Sequence, residues 1–334
     1  MDMTRLSLLD LVPVVEGGSV AGALTNAADL ARHAEALGYQ RYWVAEHHGM
    51  TGIASAATAV VIGHVAAATR TIRVGAGGIM LPNHAPLTIA EQFGTLDALF
   101  PGRIDLGLGR APGSDQRVAR ALRRTLTGDA NEFPRDVLEL QSYFADDRQT
   151  GITATPGAGA RPIMWILGSS LFGAQLAAAL GLPYAFASHF APDALDQALT
   201  VYRREFRPSA QLDRPYAMAG FNVFAADTDA EGELLASSQQ QSFVALRTGN
   251  PRQLPPPVPG YRQSLGAQGS AILDHVLQCS AVGSPATVAR GLAAFVERTG
   301  VDEVMVASAI YDHEARKRSL AITAEVAGEV KRAA

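Results

Sequence analysis

Short runs of β-branched and aliphatic residues alternate with longer amphipathic stretches along the whole chain. Residues 6–11, 41–45, 72–75, 104–108, 162–167, 184–187 and 216–225 read as strands, and Glu303–Ala307 as an eighth. Between them the apolar positions recur at helical spacing. Thr25 is placed to cap a helix whose buried face is Ala27, Leu30, Ala31, Ala34 and Leu37, closed by Gly38. Further helices are expected over residues 56–68, 87–99, 116–144, 171–180 and 192–206. The final unit has the sharpest boundaries: Ser284 caps, Pro285 takes the first helical position, Val288, Leu292, Phe295 and Val296 share a face, and Gly300 ends it. Strands that alternate with helices in this way predict an α/β protein with a closed parallel TIM (β/α)8 barrel. A doubly wound open sheet is the competing arrangement.

Two segments interrupt the rhythm. Gly157-Ala158-Gly159-Ala160 reads as a flexible surface loop. Residues 243–280 hold Asn250-Pro251, Pro255-Pro256-Pro257 and Pro259-Gly260, and proline at that density is expected to exclude regular structure. The chain is therefore read as one domain, 1–334, with an insertion before the last β/α unit. That insertion is either an active-site lid or a passive loop.

Composition narrows the function. Hydrophobic residues make up 48% and charged residues 18% of 334, enough for a large core and against disorder. The formal net charge of −4 argues against nucleic acid or an anionic membrane as the main partner. Cys279 is the single cysteine, so no intrachain disulfide forms and a reducing cytoplasm is expected. No signal peptide is read, and the longest apolar stretch, 53–68, is broken by Ser55, Thr58 and His64, which favours a buried helix over a membrane span.

In TIM barrels, chemistry sits where strands end. After the second strand comes Glu46-His47-His48. Adjacent residues on a strand point to opposite sides, so two neighbouring histidines do not converge easily on one ion, and no metal is expected. His47 is the better candidate to face the mouth as an acid, base or hydrogen-bond donor; a structural histidine pair is the alternative. The glycines of Gly75-Ala76-Gly77-Gly78 let a flat ligand approach the backbone. The dinucleotide fingerprint fails, because it would need glycine at Met80 or, one strand on, at Pro112. Arg110 suits a phosphate. Gly168-Ser169-Ser170 opens a helix whose N-terminus offers N–H groups and two hydroxyls to an anion, or forms a simple cap. The nucleophile elbow is excluded, since glycine would have to replace Phe172. Arg110 and the serines fall on neighbouring strands and together read as one phosphate site.

Trp43-Val44-Ala45-Glu46-His47-His48, the run from Val74 to Pro82, and the run from Pro101 to Arg110 resemble the bacterial luciferase-like monooxygenase family. Leu167-Gly168-Ser169-Ser170 and the run from Ala187 to Pro192 are similar to an uncharacterised subgroup of it. The resemblance covers residue 4 to about 320, apart from 243–280. It implies FMN, supplied reduced by a separate NAD(P)H-dependent flavin reductase, and O2 used to oxygenate a small apolar organic substrate. It assigns His47 as catalytic, Ala76, Gly77 and Gly78 to the isoalloxazine, with a non-proline cis peptide at Gly77–Gly78, and Arg110, Gly168, Ser169 and Ser170 to the phosphate. It further implies a homodimer through the second and third helices. The family cysteine near the flavin falls on Gly109, which argues against light emission. Two rival functions stay open on the same barrel: a deazaflavin-coenzyme-dependent dehydrogenase or reductase, for which Arg117, Arg120, Arg123 and Arg124 would supply extra positive charge, and a non-catalytic flavin-binding protein. A metal-dependent hydrolase is disfavoured by the ligand spacing.

Overall fold

The computed structural model describes residues 4–110, 118, 121–122, 132–145, 151–328 and 330. Eight parallel strands close into a barrel: β1 Arg5–Asp10, β2 Arg41–Val44, β3 Arg73–Met80, β4 Ile104–Gly109, β5 Ile163–Gly168, β6 Tyr184–Phe186, β7 Ala217–Ala225 and, later in the chain, β9 Glu303–Ala307. Closure is explicit, because β1 pairs with both β2 and β9 while β7 pairs with both β6 and β9. The expected TIM barrel is thus the observed one.

Helices α1 Val20–Ala36, α2 Thr58–Ala68, α3 Pro86–Leu99, α4 Phe133–Phe144, α5 Leu171–Leu180 and α6 Leu195–Glu205 follow the first six strands. α10 Pro285–Thr299 and α11 His313–Ala327 complete the ring. None of the described helices is long and apolar enough to cross a membrane. The cap of α1 is Ser19, not Thr25: the Ser19 hydroxyl accepts from the Gly22 N–H at 3.0 Å, while Thr25 bonds back to the Ala21 carbonyl inside the helix. Most of the helix expected before α4 lies outside the described residues. In the 157–160 segment Gly157 is buried against Ala90 and Gly94 of α3, while Gly159 is exposed.

The insertion is larger and more regular than the sequence indicated. It begins right after β7, with α7 Asp229–Arg247, then α8 Tyr261–Ser264, α9 Ala267–Val276 and a ninth strand, β8 Ser280–Gly283. β8 extends the sheet by pairing with Asn222–Ala225 of β7. The expectation that proline excludes regular structure over 243–280 is corrected: the prolines are confined to 251–259. Beyond them, Leu273, Val276 and Leu277 bury against Phe243 of α7 and hold α9 as a helix. The proline stretch itself is stitched to the rim. Leu254 bridges to Val15, Pro13 bridges to Ile53, and Leu254 and Glu16 donate to Val14 and Leu254 carbonyls at 2.9 and 2.8 Å. Gly52 admits the carbonyl of Arg252 where any Cβ would overlap it.

Inside the barrel the side chains form tiers. The lowest is charged. Arg41 reaches Glu303 at 2.8 Å and Asp105 at 2.9 Å, Trp43 donates to Asp105 at 2.9 Å, and Tyr216 donates to Glu303 at 2.8 Å. Above it lie Leu9, Trp43, Trp165, Ala185, Met218 and Met305, with the two indoles edge to face at 5.1 Å. The upper tier is opened by glycines 77, 107 and 220.

Candidate active site

The loop after β2 is organised by Glu46, a buried carboxylate. It accepts from the Met80 N–H at 2.9 Å and the Asn83 amide at 3.3 Å, and pairs with His48 at 2.8 Å and His84 at 2.9 Å. Its own N–H donates to the Gly78 carbonyl at 3.2 Å. Burial pushes the Glu46 pKa up, but His84 and the other donors outweigh it and hold the carboxyl below the usual range. Glu46 therefore pins the β2 loop to the end of β3. Sequence reading passed over it and over His84, because a buried acid beside two histidines first raises the question of metal.

His48 is spent on Glu46, whereas His47 is not. The His47 Nδ1 is buried and has no hydrogen-bond partner. Burial lowers its pKa, against the pull of Glu46. Across the mouth, after β6, His189 shows the same condition: its Nδ1 is buried without a hydrogen-bond partner, against the bare backbone of Gly220. Burial, with His47 adding to it, pushes its pKa down to about 4. His189 lines an apolar recess together with Trp43, Gly77, Met218, Gly220 and Met305. Both imidazoles are thus neutral near pH 7. Sequence analysis had quoted His189 only within a family motif.

This has a measurable consequence. The folded His189 resists a proton that the unfolded chain takes up at about pH 6.5. Stability is therefore expected to fall as pH drops from about 6.5 to 4, by up to about 1.4 kcal/mol per pH unit from this group. Urea midpoints of ligand-free protein across that range should fall less steeply for His189→Leu; parallel curves would remove His189 as the cause.

Between the histidines runs β3. Gly77 faces the interior against Leu9 and Trp43, and Gly78 backs onto the Gly107 carbonyl; a Cβ at either would come within 2.9 Å of Leu9 or 2.8 Å of that oxygen. The Gly77–Gly78 peptide is cis. Ala76 points the other way, into the outer core, so only its backbone is available to a ligand.

Arg110 and the serines do come together. The Arg110 guanidinium lies 4.2 Å from the ring centre of Phe172, the second residue of α5. Ser170 is the N-cap of α5, yet its hydroxyl makes no cap bond. Among the described residues no partner is found for the Ser169 or Ser170 hydroxyls, and none of opposite charge for Arg110. Gly168 ends β5, and its carbonyl accepts from Ala187 at 2.9 Å. Cation, free hydroxyls and helix N-terminus share one spot, the composition of a phosphate cradle. Arg117, Arg120, Arg123 and Arg124 lie outside the described residues. Only Asp29, His313 and Glu314, among those described, are spaced for a metal. The Lys317 ammonium fills that position, 3.1 Å from Asp29 and 3.2 Å from Glu314.

His47, Arg110, Ser169–Ser170 and His189 follow β2, β4, β5 and β6, and Gly77–Gly78 lie in the C-terminal half of β3, so the five sets come from consecutive neighbours in the barrel. A luciferase-like monooxygenase of Escherichia coli (strain K12) is 54% identical over 325 residues, 97% of each chain. The oxygenating constituent of 3,6-diketocamphane monooxygenase of Pseudomonas putida, a type II Baeyer–Villiger monooxygenase solved with FMN, shares the fold at a TM-score of 0.75 and 19% identity, with all of both chains covered. An F420-dependent secondary alcohol dehydrogenase shares it at 0.67 and 14%, covering 97% of this chain and 98% of the other; at these identities the likeness shows the barrel alone. The family model for luciferase-like monooxygenases matches residues 5–303, and the chain belongs to that family.

Proposed function

We propose that the protein is a flavin-dependent monooxygenase that takes reduced FMN and O2 and oxygenates a small apolar organic substrate. The observation that carries this reading is the joint placement of Arg110, Ser169 and Ser170 at the start of α5, with an unpartnered His47 across a glycine-walled slot. The donor set fits FMN. Arg110, the two hydroxyls and the free N–H groups of α5 hold its phosphate. The backbone of Ala76, Gly77 and Gly78 would receive its ring, where the two glycines leave no side chain in the way. When bound, FMN supplies the reactivity toward O2.

The chain's own contribution is binding, orientation and exclusion of water. Leu9, Trp43, Leu167, Met218 and Met305 dry the floor of the slot. His47 Nδ1 holds or takes up a proton at the reacting centre. Reduced cofactor is supplied by a separate NAD(P)H-dependent flavin reductase, and the setting is the cytoplasm. A homodimer is proposed through α2 and α3, consistent with Val60 of α2 standing 73% exposed.

The test is binding of FMN, riboflavin and the deazaflavin coenzyme to purified protein. Arg110→Ala is expected to weaken FMN roughly 10- to 100-fold, the value of a charge-assisted bond, and to leave riboflavin unchanged. Equal losses for both flavins would remove the phosphate role, and tight binding of the deazaflavin alone would overturn the FMN reading.

A further inference from the structure

Three aromatic rings run in contact from the slot to the barrel floor. Trp43 lines the slot. Its indole meets Trp165 edge to face at 5.1 Å, and Trp165 meets Tyr216 in the same way at 5.7 Å. Tyr216, half-buried, stands just before β7 at the opposite end of the barrel, where the exposed Arg5 donates to its hydroxyl at 3.4 Å.

The hydrogen bonds of the three rings differ in a way that packing alone does not require. The Trp43 N–H donates to Asp105 at 2.9 Å, and the Tyr216 hydroxyl donates to Glu303 at 2.8 Å. Trp165, between them, has a buried N–H with no partner, which folds rarely retain without a use. The Arg41 guanidinium lies 4.8 Å from the centre of its ring. An indole that loses an electron becomes a cation. On Trp165 that cation has no acceptor for its proton and is repelled by Arg41, so the charge does not settle there. On Tyr216 the departing electron is joined by the phenolic proton, which moves along its hydrogen bond to Glu303. Burial and Glu303 push the Tyr216 pKa up to about 12, so the phenol keeps that proton until it is oxidised. A phenol that gives up electron and proton together is a better donor than an indole at neutral pH, and this sets the direction of flow.

Building on the monooxygenase reading, which brings O2 chemistry to the slot, we propose that Trp43, Trp165 and Tyr216 form a relay that carries oxidising equivalents from the slot to the barrel floor. The oxidant is a hydroxyl-type oxygen radical formed in the slot when oxygenation miscarries. It takes one electron from Trp43 and one proton from solvent and becomes water. Trp165 refills Trp43, and Tyr216 refills Trp165 while its proton passes to Glu303. A soluble thiol at the floor then returns the electron, Glu303 returns the proton to Tyr216, and the thiol proton goes to solvent. The net change converts one hydroxyl radical and one thiol into water and a thiyl radical. Met218 and Met305, in the same tier as the indoles, are thereby spared oxidation.

The experiment uses cofactor-free protein. A laser flash at the red edge of indole absorption, where tyrosine does not absorb, ejects an electron from Trp43 or Trp165, the two tryptophans of the chain, and dissolved O2 takes that electron up. In native protein the tryptophanyl absorption is expected to decay as a tyrosyl absorption grows in step with it. Tyr216→Phe removes only a hydroxyl; the tyrosyl signal should be lost and the tryptophanyl signal prolonged. Trp165→Phe leaves Trp43 as the single indole, and its radical should persist with no tyrosyl signal. Absence of a tyrosyl signal in native protein, or its survival in either variant, would overturn the relay. The native measurement decides even where a variant does not fold. FMN binding and O2-dependent turnover of native protein test the monooxygenase reading separately: their failure would sink that reading and with it the source of the oxidant, while the flash result would still report on the three rings.

Discussion

Arg41→Ala is expected to destabilise the fold by about 3–5 kcal/mol, the cost of leaving buried charge uncompensated. Arg41 sits at the barrel floor between Asp105 and Glu303, both fully buried. Burial works against its charge, but Glu303 and Asp105 outweigh it and raise its pKa further, so the guanidinium stays protonated. Removing it leaves Glu303 without a cation. Arg73 remains for Asp105 at 2.7 Å, while Glu303 keeps only the Ser7 and Tyr216 hydroxyls. Urea unfolding measures the loss. The sharper comparison replaces Arg41 and Glu303 together with leucine or methionine and leaves Asp105 paired with Arg73. That variant should be less impaired than Arg41→Ala, because no unpaired charge is left behind. A single-mutant loss under about 1 kcal/mol would show that water reaches the floor and that the network is weak.

His47→Ala is expected to lower turnover roughly 10²- to 10⁴-fold, the usual contribution of a positioned acid or base. FMN affinity should change far less, since the phosphate is proposed to bind at Arg110 and the start of α5. O2-dependent product formation with a flavin reductase present gives the first quantity, and flavin fluorescence the second. Parallel losses of both would assign His47 to binding alone. His48→Ala provides the contrast. Its imidazole serves Glu46 and thereby the β2 loop, so it should affect stability and flavin affinity together.

The alternation of strand and helix was enough to read the barrel, because each unit carries its own apolar periodicity and clear stops such as Gly300. α7 escaped notice for the opposite reason. Its buried positions include Gly232, Ser237, Ser238, Gln240 and Gln241, so no apolar stripe marks it. Arg110 and Ser169–Ser170 were legible because strand ends are where such groups act, and neighbouring strands bring them together. His189 was not, since a lone histidine acquires meaning only once its nitrogen is seen without a partner. The floor network was hidden for a related reason. Arg41, Asp105 and Glu303 stand at or near the starts of their strands, the two acids 64 and 262 residues from Arg41 in sequence, and nothing local tells a charge facing inward from one facing solvent.

The backbone bonds that join Leu254 to Val14 and Glu16 have a consequence for traffic into the barrel. A segment tied down at that point behaves as masonry and not as a hinged door. Swinging it aside would break main-chain bonds and lift Arg252 from its seat over Gly52. Passage of substrate and product is therefore to be sought along the opposite arc of the rim, past Arg110, Phe172 and Phe190.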